Sequence, residues 1–97
     1  MQTVTRRDAL AQHARLEALV SRPPGPDAEA HKVVKRAVAA FHGCPAFVRD
    51  RMHNAEHALD VWFSASKWQK GGEAHARHAI EVALASLHDA IDAQLPG

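Results

Sequence analysis

Apolar residues recur at intervals of three and four along most of the chain, the period of an amphipathic helix, and breakers divide this pattern into four stretches. The first runs from about Thr5 to Ser21, with Ala9, His13, Leu16 and Val20 on one stripe and Leu10 and Leu19 beside it. Thr5 followed by Asp8 reads as a capping box with Asp in place of the usual Glu. Arg22-Pro-Pro-Gly-Pro26 then halts the helix, because proline lacks the amide proton and restricts the residue before it. A second helix is predicted from about Asp27 to His42, with Ala30, Val33, Val34, Ala37, Val38 and Phe41 inward. Gly43 suits the left-handed position that closes a helix, and Pro45 the first turn of the next.

The third stretch, about Pro45 to Lys70, is the longest, with Val48, Met52, Ala55, Leu59, Trp62 and Ser66 on one seam and Phe63 flanking it. Gly71-Gly72 ends it. A fourth helix follows from Glu73 to Gln94, with Ala76, Ile80, Ala83, Leu84, Leu87 and Ile91 inward. The sequence has no alternating strand pattern and few β-branched residues. The expectation is an all-α fold, one domain over residues 1–97, in which short connections place neighbours antiparallel in an up-down four-helix bundle.

The predicted lengths do not match. The second helix covers the third only to about Asp60, which leaves Trp62, Phe63 and Trp68 at or beyond the tip of the shorter pair. The Pro-rich loop, the end of the first helix or another chain must cover them. These three residues are therefore the candidate interface, Trp68 above all.

Composition pushes in the same direction. Of the 97 residues 46% are hydrophobic, yet twenty of those are alanine, which buries little area. Such a chain gains from pairing with a second copy, so a homodimer or higher homo-oligomer is expected, with another protein as a possible partner. Twelve Lys and Arg against eleven Asp and Glu give a net charge of +1, without the basic excess of a nucleic-acid binder. No run is apolar and long enough for a membrane span, and the first residues lack the apolar stretch of a signal peptide. With a single cysteine, no intrachain disulfide can form, and the expected location is the cytoplasm.

Histidine is the anomaly, with eight residues. His53 and His57 stand one helical turn apart on one face, the spacing that lets two imidazoles share a metal ion, and Asp60 lies on the same stripe. That stripe points away from the Met52, Ala55 and Leu59 seam, toward solvent or an interface. His75, His78 and His88 on the fourth helix are secondary candidates, from a partner subunit, and His88 is positioned to approach His53. The metals such ligands suit are Zn, Ni, Co or Cu. A metalloprotease would need Glu directly after the first His, where this chain has Asn54. His13 falls within an apolar stripe and is expected to be a hydrogen-bonded core residue. Cys44, at a helix start, lies where a thiol can become reactive, but no signature places a base beside it. Phosphate-cradling loops and nucleophile elbows are absent from the sequence. Taken together, these features predict a non-enzymatic helical interaction module that self-associates and binds another protein. The alternative is a transition-metal-binding protein using surface histidines.

Overall fold

The first two helices each start at a residue whose side chain replaces a missing backbone partner. In the computed structural model, which describes residues 4–64 and 72–96, Thr5 accepts a hydrogen bond from the Asp8 amide at 3.2 Å and opens α1 (Arg6–Leu19). Asp27 accepts from the Ala30 amide at 3.0 Å and opens α2 (Ala28–Ala40). Such caps satisfy amides that the helix itself leaves unpaired. Pro45 precedes α3 (Ala46–Trp62), where its absent N–H costs nothing, and α4 (Gly72–Gln94) is the longest helix among the described residues.

The four helices form a closed ring. α1 packs on α2, α2 on α3, α3 on α4, and α4 back on α1, with no diagonal pair meeting among the described residues. The α3–α4 pairing is the most extensive. Direction follows from the chain ends: the Arg6 amide donates to the Pro96 carbonyl at 2.8 Å, and its guanidinium donates to the Leu95 carbonyl at 3.3 Å. The start of α1 therefore meets the end of α4, as an up-down bundle requires.

Leu16, Val48, Met52, Leu59, Trp62, Ile80, Leu87 and Ile91 are wholly buried at the centre. Each large aliphatic side chain contributes roughly 1.5–3 kcal/mol of burial. Ala55, Ala58, Ala76 and Ala90, buried along α3 and α4, leave room for those two backbones to approach closely. Most of the bulky core comes from α3 and α4, whereas α2 buries only Ala30, Val34 and Ala37 within its span.

Two local expectations need correction. Gly43 does not adopt a left-handed conformation; α2 closes on Phe41, and tight turns from His42 to Ala39 and from Cys44 to Phe41 carry the chain into α3. With Phe41 and Cys44 both buried, the turn is held by packing instead of by a glycine. More consequentially, α3 ends at Trp62, not near Lys70. Phe63 leaves helical geometry at φ −95° and ψ 27°. The Pro-rich loop explains why. Gly25, at a φ of +113° that side chains rarely tolerate, donates its amide to the Trp62 carbonyl at 2.9 Å. That bond takes a terminal carbonyl which a longer helix would have used. Trp68 and Lys70 lie outside the described residues.

Candidate functional site

Trp62, expected at an interface, is sheltered by its own chain. It is 0% exposed, and its Nε1–H donates to the Arg22 carbonyl at 3.2 Å. Arg22 in turn forms a two-bonded pair with Asp27 at 2.7 and 3.0 Å, which holds the loop in place. The Arg77 guanidinium stands 5.0 Å from the centre of the indole. Trp62 is therefore roofed by residues 22–27 and offers no surface to a second chain. Phe63 is half-buried and packs against the core.

The outer side of the α3–α4 pair carries an open groove of about 690 Å³. Ala58 and Val61 of α3 and Ala76, Ala79, Val82 and Ala83 of α4 supply its apolar wall, with His57, His75 and His78 among its polar residues. Among the described residues, Val82, at 56% exposed, is one of two large apolar side chains turned to solvent; the other is Phe47, whose ring is capped by the Arg51 guanidinium at 4.6 Å. The groove exists because α3 and α4 present small residues outward as well as inward. Sequence reasoning missed it by following the inward stripes alone. Its visible signal was Val82, a large apolar residue that stands off the Ala76, Ile80, Leu84 and Leu87 line among alanines and histidines.

The histidine stripe of α3 faces outward, with His53 and His57 exposed, and it borders α2. His53, His57 and Asp60 line a cleft of about 240 Å³ between α3 and α2, whose far wall holds His31 and Lys35. Val34 and Leu59 are also among its lining residues. Glu56 sits between two partners, 3.5 Å from Lys35 Nζ and 3.3 Å from His53 Nδ1. His31 is a third imidazole that the reading of α3 alone overlooked; its i and i+4 neighbour Lys35 marks the face of α2 that meets this cleft. Among the described residues, no three His, Cys, Asp or Glu side chains converge closely enough to hold a metal ion.

His88 does not approach His53. Its ring meets that of His13 edge-on, with centroids 5.3 Å apart, in a third cleft between α1 and α4 that Glu17, Glu81 and Asp89 also line. His13 is the buried, bonded core histidine that its position in the apolar stripe indicated. Its Nε2–H donates to the Leu84 carbonyl at 2.8 Å, and Nδ1 lies 3.0 Å from the Glu17 carboxylate. His75 and His78 stand exposed on the outer groove, far along α4 from that pair.

Cys44 is buried, and that burial raises its thiol above the ordinary range, with Arg49 offsetting part of the effect. The helix start therefore does not activate it. No helix of the described residues is long and apolar enough to cross a membrane. No protein-family model, curated protein or solved structure matches this chain.

Proposed function

We propose that this chain is a small non-enzymatic helical module that self-associates through the outward face of its α3–α4 hairpin and, so assembled, binds another protein. The observation behind this reading is the groove itself. An apolar trough of about 690 Å³, with a valine more than half exposed on its wall, sits on the most extensively packed helix pair. Apolar surface open to water is most cheaply covered by another helix, and grooves of this kind receive amphipathic helices. With Trp62 buried, the reading rests on the flank of the bundle. An unpaired, buried thiol with a tightly held proton suits a reducing, cytoplasmic setting and is unsuited to nucleophilic catalysis.

The test is light scattering after size exclusion, comparing the parent with Val82→Glu. Val82 is exposed, so the variant keeps its fold, which circular dichroism verifies. The parent is expected to show a concentration-dependent mass above that of one chain, and the variant the mass of one chain. A parent that stays monomeric into the high micromolar range overturns the proposal.

One observation favours a second reading, transition-metal binding: the fold brings His31 of α2 to the same cleft as His53 and His57. This reading needs the exposed imidazoles to rotate inward, or a second subunit to add a ligand. Titration with Zn²⁺, Ni²⁺, Co²⁺ and Cu²⁺ tests it. Affinity that falls on either His31→Ala or His57→Ala supports a shared site; affinity that neither substitution changes removes it.

A further inference from the structure

We infer that the groove is covered by a second copy of this chain, and that the two α4 helices run antiparallel across a two-fold axis at Val82. The inference rests on the self-association proposed above and names the seam. It comes from the order of side chains along the exposed ridge of α4. Successive residues of an α-helix are 100° apart, so positions seven apart fall within about 20° of one line. His75, Val82 and Asp89 occupy such a line, and all three are exposed. His78, Ala79, Ala85 and Ser86 flank it.

A two-fold axis through Val82 pairs each residue with the one equally far on the other side. Val82 then meets Val82 of the other copy, Ala79 meets Ala85, and His78 meets Ser86. At both ends His75 faces Asp89, a hydrogen-bonding and charge-complementary pair that occurs twice because the interface is isologous. No ion pair among the described residues engages His75 or Asp89 within the chain. A parallel arrangement would set Asp89 against Asp89, opposing like charges, and would leave His75 facing His75 with no carboxylate acceptor. The antiparallel register alone matches apolar to apolar in the middle and donor to acceptor at the ends. It also brings each α4 ridge beside the other copy's groove, where Val61 of α3 is partly exposed.

The seam is tested by charge exchange and by cross-linking, in the full chain. Asp89→Lys and His75→Asp each replace both end pairs with mismatches and are expected to weaken the dimer by about tenfold, whereas the double exchange restores it. Rescue is not expected of a surface where these positions do not meet. A chain with both His75→Cys and Asp89→Cys is expected to oxidise to a covalent dimer, while neither single variant does. The two positions lie about 21 Å apart on one helix, too far to bridge within a chain, and Cys44 is buried. Cross-linking by His75→Cys alone, or a dimer indifferent to the exchanges, overturns the α4 seam and leaves self-association standing. A parent that is monomeric throughout overturns both.

Discussion

Replacing Trp62 with phenylalanine tests whether the Pro-rich loop truly closes the bundle. The indole is wholly buried, and its Nε1–H is held by the Arg22 carbonyl at 3.2 Å, while the Trp62 carbonyl receives the Gly25 amide at 2.9 Å. Phenylalanine keeps a ring in the site but removes the donor and leaves a void where the second ring stood. A lost hydrogen bond of this kind costs roughly 0.5–1.5 kcal/mol. The residual cavity adds about 1–2 kcal/mol, on the scale of other buried large-to-small changes. The sum, about 1.5–3.5 kcal/mol, corresponds to a fall in Tm on the order of 6–28 °C for a chain of this size. Thermal and urea unfolding followed by circular dichroism read this directly. Hydrogen exchange adds a local probe, since the Gly25 amide is expected to lose protection in the variant. A stability loss below about 0.5 kcal/mol, with Gly25 still protected, refutes the claim that the loop and Trp62 are mutually held.

Three further outcomes follow from named contacts. His13→Ala removes the donor to the Leu84 carbonyl and is expected to cost about 1–3 kcal/mol in urea unfolding, whereas His88→Ala, at an exposed position, costs much less. Asp27, whose carboxyl is held below its ordinary 3.8 by the hydrogen bond from Arg22 and then by the Ala30 amide, favours folding while ionised. Its contribution is complete above 3.8 and fades as acid protonates it toward the lower folded-state value. Asp27→Asn is therefore expected to show a shallower loss of urea midpoint on acidification than the parent, and parallel profiles contradict the assignment. Cys44, buried and harder to ionise than a free thiol, is expected to react with a thiol reagent at mildly alkaline pH only on unfolding; prompt labelling of the native chain contradicts its burial.

Most of the fold was legible because its cues are local. Proline at 23, 24, 26 and 45, the caps Thr5 and Asp27, and the three-four spacing of Leu16, Val34, Met52 and Ile80 each act within a turn or two. The end of α3 was not legible, because what stops it is a hydrogen bond from Gly25, far away in sequence, and no breaker lies between Trp62 and Ser66. The same contact hid the fate of Trp62: helical spacing assigns it to a seam but says nothing of a loop folded over its end. The outward angle of His53 and His57 was legible from periodicity, but the position of α2 beside them was not. His88 failed likewise, being angled toward α1 instead of α3. The outer groove escaped notice for a different reason. Alanine fits a core and a surface equally well, so Ala58, Ala79 and Ala83 carry little directional signal, and only Val82 betrays the face.

Whether this chain acts by covering that face is read most directly from methyl NMR spectra recorded over a dilution series. The methyl resonances of Val61 and Val82 are expected to move together as concentration falls, along one saturable curve, while those of Val34 and Val48 inside the bundle hold still. Spectra that do not change with concentration, or changes centred on Phe47 and its neighbours with Val61 and Val82 unmoved, contradict the account.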